Sequence, residues 1–366
     1  MRHSSSFKYV GVVGGRDIEP GVHKKVLGYV KSAKRLGFLA DAYLPTSQSG
    51  LGHFKVACHS LVFSPDILIV RSNEIFQILL LPIYALRRLR RQITIIDVPT
   101  PVRAAEAEIK GKTESGIQSF LRRALMRLVL PISYWPVNAV IQYSDESYWY
   151  SFGVRHKTLL MGNGVDLDLE KKRCNEPPWP SNDLRLLGVA RIKYWHGYDH
   201  VIRAIAKWHE SNSSSFGIVF IVVGDGPELE VLKKLASELG VGARIQFEGT
   251  AHGSALDQYY ETAHIGVASL GLARKDLLIS SELKKREYLA RGLPFIWIGE
   301  DPDFSATCDV AINLPSESVE EALLSFFRSL EGGLAVPHSA TAREYAEQYL
   351  SYDVKLRQIL RFVGYK

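Results

Sequence analysis

Cysteine is scarce: the 366-residue chain holds three, Cys58, Cys174 and Cys308, far apart and without a CxxC pair. That excludes a disulfide framework and a structural zinc site, and fits a reducing cytoplasm. Long apolar runs are also missing. A stretch such as Ile75 to Leu86 is interrupted by Gln77, Pro82 and Tyr84, whereas a bilayer span takes about 20 apolar residues. The N-terminus, MRHSSSFKYVGVVGG, lacks an apolar core of signal-peptide length, so export is not expected. There is no zinc finger, RNP motif, leucine zipper or short-period repeat, and no nucleic-acid partner is expected.

What is present has the balance of a soluble globular chain, with 46% hydrophobic and 23% charged residues. The length suggests about two domains. The formal charge is +6, and it is concentrated. Val70 to Pro136 holds 11 Lys/Arg against 5 Asp/Glu, a local excess equal to that of the whole chain. This stretch is also rich in Leu, Ile, Tyr and Trp, a mixture that suits an anionic membrane surface better than a nucleic acid. Arg87, Arg88, Arg90 and Arg91 follow an apolar helical face, and Leu121 to Leu130 carries Arg122, Arg123 and Arg127 among leucines.

Short apolar runs alternate with amphipathic stretches. Phe7–Val13, Phe38–Leu44, Ile67–Val70, Ile93–Asp97, Ala139–Tyr143 and Thr158–Met161 read as strands, and Val22–Leu36 as a helix. Residues 167–183 are polar, carry three prolines and have no periodic face, which marks a linker. The pattern then resumes with strands at Leu184–Ala190, Phe216–Val223, Arg244–Phe247, His264–Ala268, Phe295–Ile298 and Val310–Ile312. A helix is expected from Pro227, and a long one over about Ala340–Phe362. Strand–helix alternation predicts α/β domains with parallel sheets: 1–166, the linker, 184–338, and a C-terminal helix over 339–366.

Ligands of such sheets bind beyond the carboxyl ends of strands, so the residues after each strand matter most. Arg191 and Lys193 follow the strand ending at Ala190, and the planar fork of arginine suits phosphate oxygens. Val223-Gly-Asp-Gly-Pro227 is a glycine turn into a helix, explicable by turn geometry alone. Ser280-Ser-Glu-Leu-Lys-Lys-Arg-Glu287 reads as a serine-capped helix start with Lys284, Lys285 and Arg286 in its first turns. Cations there oppose the helix dipole, and either the nearby Glu282 and Glu287 or a bound anion would relieve them. Asp166-Leu-Asp168 matches a metal-binding Asp-x-Asp only superficially, with no third ligand evident.

Taken together, Asn163-Gly-Val-Asp166, Gly188-Val-Ala-Arg191, His196-Gly-Tyr-Asp199, Val223-Gly-Asp-Gly-Pro227, Phe247-Glu-Gly249 and Glu287-Tyr-Leu-Ala-Arg-Gly-Leu-Pro294 resemble the family 4, or group 1, glycosyltransferases. Trp195-His196-Gly197 with Ser281-x-Leu-Lys284-x-x-Glu287-Tyr288 is similar to a subgroup of bacterial surface-polysaccharide clusters. Gly14-Gly15, Gly21-Val-His-Lys-Lys25 and Asp97-Val-Pro-Thr100 extend the likeness more loosely.

The resemblance implies a GT-B fold: two doubly wound Rossmann-like domains facing a cleft, with the C-terminal helix crossing back. It implies a retaining transfer of a hexose-type sugar from a UDP- or GDP-sugar to a saccharide acceptor, carried on a lipid, at the cytoplasmic face of the membrane, without a metal or other cofactor. Arg191 and Lys284 would stabilise the leaving diphosphate, and Glu287 would take the ribose hydroxyls. Gly14, Gly15, Lys193, His196, Gly224, Ser280 and Ser281 would complete the donor site, with Lys24, Lys25 and Asp97 on the acceptor side. Two positions depart from the family. His196 stands where relatives carry a lysine, and Ile279 stands where the first glutamate of Glu-x7-Glu should fall. No histidine follows Asp97, for which His23, His53 and His156 are alternatives. These departures keep open a non-catalytic partner subunit, and the shared fold keeps open a nucleotide-sugar epimerase.

Overall fold

The computed structural model describes residues 5–11, 20–44, 54–55, 58–59, 64–71, 74–98, 117, 120–121, 124, 128, 132–144, 154–174, 176–178, 182–210, 215–275, 277, 279–305 and 308–365. Gly14, Gly15, His53, Pro99, Thr100, Arg122, Arg123 and Arg127 lie outside them. The chain forms two compact units, one of residues 1–166 with 351–366 and one of residues 167–350.

The first unit is a six-stranded parallel sheet built from β1 (Ser6–Gly11), β2 (Leu39–Tyr43), β3 (Ile67–Arg71), β4 (Ile93–Asp97), β5 (Ala139–Gln142) and β6 (Thr158–Leu160). Its order is β2-β1-β3-β4-β5-β6. Helix α1 (Pro20–Arg35) turns Val26, Tyr29, Val30 and Ala33 into the core, as their helical spacing predicts. Helices α2 (Glu74–Leu79) and α3 (Leu81–Leu89) lead into β4. Arg87 of α3 does not join its exposed basic neighbours. It is buried and donates to Thr94 Oγ1 at 2.8 Å and to the carbonyls of Pro65 and Ile93 at 2.9 and 2.8 Å. It tethers the helix to the sheet, because a buried guanidinium needs acceptors, and so leaves the membrane quartet expected from sequence.

The second unit has β7 (Asp183–Val189), α4 (Tyr198–Glu210), β8 (Gly217–Val223), α5 (Leu229–Glu238), β9 (Ile245–Gly249), α6 (Ser254–Thr262), β10 (Ile265–Val267), α7 (Leu283–Ala290), β11 (Phe295–Trp297), β12 (Ala311–Asn313), α8 (Val319–Glu331) and α9 (Ser339–Tyr345). Its sheet is also six-stranded and parallel, in the order β12-β11-β10-β7-β8-β9. The helix expected from Pro227 starts at Leu229, after a turn through Pro227 and Glu228.

Segment 167–183 differs from the expected linker, because it packs as part of the second unit. Glu170 pairs with Arg291 at 2.9 Å, and buried Arg173 donates to Ser339 Oγ and the Ala263 carbonyl, each at 2.9 Å. The C-terminal helix is also not continuous. After α9 the backbone makes a π-turn over Ala346–Leu350, breaks at Ser351, and restarts as α10 (Tyr352–Phe362), capped by Ser351 Oγ accepting from Val354 N–H. At that break the chain returns to the first unit. Tyr352 fits there because two glycines make room: a Cβ on Gly28 or Gly164 would lie 2.2 or 2.4 Å from its ring.

At the carboxyl ends of β1, β3 and β4, buried Asp97 accepts from Lys25 at 2.9 Å, Arg71 at 3.2 Å and the Tyr9 hydroxyl, and Lys25 also reaches the Tyr143 hydroxyl. Lys25 and Asp97, expected on the acceptor side, are thus joined in one internal network, while Lys24 faces outward. Burial, with Arg71, lowers the Lys25 ammonium to about 7 against the opposing pull of Asp97, and the two cations hold Asp97 below the usual carboxylate range. Removing one side of a buried pair strands the other. Asp97→Asn should therefore destabilise the protein by about 3 kcal/mol, with Lys24→Ala within about 0.5 kcal/mol of wild type. Chemical denaturation of the two variants checks this, and an undisturbed Asp97→Asn protein would refute the assignment.

Candidate functional site

The second sheet reverses direction at its centre. From β7 the chain moves outward to β8 and β9, then returns to the other flank of β7 as β10 and moves away through β11 and β12. The loops leaving β7 and β10 therefore diverge, and their divergence opens a crevice at the carboxyl edge. The expected donor residues Arg191, Lys193, His196 and Lys284 fall on this edge or on the start of α7.

The β7 loop is fixed by close backbone packing. Ala190 and Ile192 donate to the carbonyls of Val223 and Asp225 at 3.0 and 2.8 Å. Gly224, at φ +134°, lies so close that a Cβ would stand 1.8 Å from the Ala190 carbonyl oxygen, and one on Gly226 would stand 2.1 Å from that of Ile192. Gly224, expected at the donor, thus acts one step back: it lets the β8 turn press against the Arg191 loop. Arg191 itself is exposed, and its guanidinium makes no hydrogen bond or ion pair among the described residues.

His196 is buried and ring-stacked on Tyr198, 5.6 Å between centroids, and its Nδ1 accepts from the Lys193 N–H at 3.1 Å. Burial, reinforced by Lys284, Lys193 and Lys275, pushes its imidazole down to about 2. It is therefore a neutral ring and not a stand-in cation for the family lysine. Three ammonium groups thus act on this ring. Lys193 and Lys275 reach the Trp195 ring at 4.5 and 3.7 Å from its centroid. Lys275 was not expected from sequence, since nothing in its spacing brings it to Trp195.

Helix α7 supplies the third. Its N-cap is Glu282, not a serine, and no side chain caps it. The Ser280 N–H donates to the Glu300 carbonyl at 2.9 Å, beside the bridge between Ile279 and Glu300, and Ser281 is buried. Two of the three cations of the first turns are neutralised from a distance. Arg286 forks onto Asp301 and reaches Asp303, and Lys285 lies 3.3 Å from Asp301. Lys284 is different. Its ammonium is buried, stands 3.6 Å from Glu282, and has no hydrogen-bond partner. Burial lowers it to about 8, with Lys285 adding to the shift and Glu282 opposing. Glu282 itself accepts from Ser269 Oγ at 2.5 Å.

Tyr288 ties α7 to the sheet, its hydroxyl accepting from Val189 N–H and contacting the carbonyls of Leu187 and Val267 at 3.2 and 3.1 Å. Glu287 is half-buried one residue before it, close enough to act on Lys284. Among the described residues no group of three or more His, Cys, Asp or Glu side chains could hold a metal ion. Asp166 instead pairs with Lys31 at 2.8 Å, while Asp168 is exposed. A cavity of about 520 Å³ lies at the opposite, amino edge beside Arg173, Glu176 and His264, whose polar groups are engaged within the unit.

This arrangement is an excess of cations around a neutral imidazole, at a strand-order reversal, with one buried ammonium lacking an acceptor. Residues 170–272 match the family described as Glycosyl transferases group 1. No curated protein matches the chain. Among solved structures it is similar to sucrose-phosphate synthase from Thermosynechococcus elongatus, with TM-score 0.67 and 14% identity over 98% of this chain and 99% of that one. Anabaena HepE in complex with UDP-glucose gives TM-score 0.64 and 14% identity over 98% and 99%. The lipopolysaccharide outer core galactosyltransferase WaaB gives TM-score 0.62 and 12% identity over 97% and 99%. The chain has the GT-B fold, and its residues 170–272 match the model of the group 1 glycosyl transferases.

Proposed function

We propose that the protein transfers a hexose-type sugar, with retention of configuration, from a UDP- or GDP-sugar to a saccharide acceptor carried on a lipid, in cell-surface polysaccharide synthesis. The observation that carries the donor half is the buried ammonium of Lys284, which makes no hydrogen bond and acts on the His196 ring together with Lys193, at the reversal between β7 and β10 where the Arg191 loop also leaves the sheet. HepE, similar in fold, forms a complex with UDP-glucose, which supports a nucleotide-sugar donor. The likeness to WaaB, a lipopolysaccharide outer core galactosyltransferase, supports a glycolipid acceptor.

When the glycosidic bond to the donor phosphate breaks, negative charge grows on the departing diphosphate. Preorganised cations are worth most where charge develops. Arg191 offers two parallel N–H groups to phosphate oxygens, and Lys284 offers a third contact from a site where water does not compete. Glu287 takes the ribose hydroxyls. Side chains supply this charge, so the reaction runs without a metal.

His196 held neutral and Ile279 in place of a carboxylate favour a second reading, a GT-B subunit that binds without catalysing. Hydrolysis or transfer of donor sugar by the purified chain separates the two. In that assay Arg191→Ala should lower the rate at least tenfold, from loss of about 1.5–3 kcal/mol of charge-assisted contact, with the melting temperature unchanged, and EDTA should leave the wild-type rate intact. An Arg191→Ala enzyme with wild-type kinetics would refute the diphosphate clamp.

The lowered Lys284 gives a pH signature. In the free protein it loses its proton near pH 8. A phosphate against it raises that value, so binding takes up a proton above pH 8. UDP or GDP affinity should fall roughly tenfold between pH 7 and 9, as the ammonium becomes the minor form. Calorimetry in buffers of different ionisation enthalpy measures the uptake. Lys284→Met should bind more weakly at pH 7 and lose the uptake, and an unaltered pH profile in that variant would remove Lys284 from the site.

A further inference from the structure

Three neighbouring strands of the first unit, β4, β5 and β6, start on one edge of the sheet because all are parallel. The segments leading into them, 88–92, 132–138 and 154–157, contain Arg88, Arg90, Arg91, Arg155 and Lys157 and no Asp or Glu. The side chains of Arg88, Arg90, Arg91 and Arg155 make no hydrogen bond or ion pair among the described residues. The segments meet: Lys157 Nζ donates to the Trp135 carbonyl at 2.5 Å, and Arg88 lies close enough to disfavour the Lys157 charge. Between the cations stand Leu89, 82% exposed, Trp135, 67%, and Ile132, 60%. Apolar side chains this exposed on a single edge call for a partner.

We infer that this amino edge is the surface by which the protein docks on an anionic bilayer. The inference rests on the reading of a lipid-linked acceptor and locates its membrane contact. Charge complementarity selects an anionic partner. Exposed Leu89 and Ile132 beside the cations favour lipid, whose acyl boundary buries aliphatic side chains, and tryptophan favours the membrane–water interface. The edge is not the acceptor site itself. The carboxyl ends of the same strands, where Asp97 lies, stand one strand length away, about 17 Å. The patch is therefore an anchor, separable from binding and transfer.

Arg91 provides an unusual probe. It follows Arg90, the C-cap of α3, and adopts φ +58°, a left-handed conformation that favours glycine. Arg91→Gly removes a cation while relieving the backbone.

The test is sedimentation of the full chain with phosphatidylcholine vesicles containing graded phosphatidylglycerol. Binding should rise with the anionic fraction and fall with salt. Each cation removed should weaken it about fivefold, the factor equivalent to about 1 kcal/mol per basic residue. Replacing Arg88, Arg90 and Arg91 together by Gln should therefore cost about 100-fold, with UDP binding unaltered. Arg91→Gly should bind vesicles more weakly yet melt no lower than wild type, and Trp135→Ala should weaken binding at every salt concentration. Equal binding to neutral vesicles, or unchanged binding of the triple variant, overturns the proposal. So does tighter binding of an oligonucleotide than of vesicles, lost in the same variants. A protein that binds vesicles but turns over no donor refutes the activity and leaves the anchor, whereas one that transfers sugar without binding vesicles refutes the anchor alone.

Discussion

The carboxylate of Asp301 fixes where α7 begins. Buried beside Lys285 and Arg286, it pairs with both cations inside the second unit, Arg286 reaching Asp303 as well. Loss of one member of such a group costs about 3–5 kcal/mol, so the loop after β11 and the first turn of α7 are locked together. Tyr288 locks the same helix to β7 and β10 from its other end. Between these two fastenings Lys284 is held at the sheet's carboxyl edge with no acceptor of its own. The site is thus a by-product of how its neighbours are held: of three consecutive cations, Lys285 and Arg286 are tied to Asp301, while Lys284 faces Glu282 at 3.6 Å and makes no hydrogen bond.

The same economy operates in the first unit. Asp97, Lys25, Arg71 and Tyr9 spend their charges and hydrogen bonds on one another, and Arg87 spends its donors on the sheet. Arg88, Arg90, Arg91 and Arg155 are left exposed in the segments that lead into β4 and β6. Charge that the interior does not neutralise is available to partners. In the two units it appears on opposite kinds of edge, carboxyl in the second and amino in the first.

Much of the fold was legible because its signals are local. Strands such as Ile93–Asp97 are continuous apolar runs, as parallel strands buried on both faces require, and α1 shows an uninterrupted helical period. The break at Ser351 was not legible, because a serine within an amphipathic stretch is unremarkable until Tyr352 meets Gly28 and Gly164 from far away in the chain. Arg191 could be found because it directly follows a strand. The division among Lys284, Lys285 and Arg286 could not, since it depends on Asp301 and Asp303, fifteen or more residues onward. Nor could sequence distinguish buried Arg87 from exposed Arg88. The packing of Gly224 against the Ala190 carbonyl is visible only in the fold, because the two follow different strands.

The central claim is that the carboxyl edge between β7 and β10 holds a nucleoside diphosphate. The most direct measurement is a crystal structure of the protein grown with UDP or GDP. Phosphate oxygens should lie within hydrogen-bonding distance of the Arg191 guanidinium and the Lys284 ammonium, with the ribose toward Glu287. A nucleotide bound elsewhere, or phosphates at this edge that leave Lys284 without a contact, would contradict the claim.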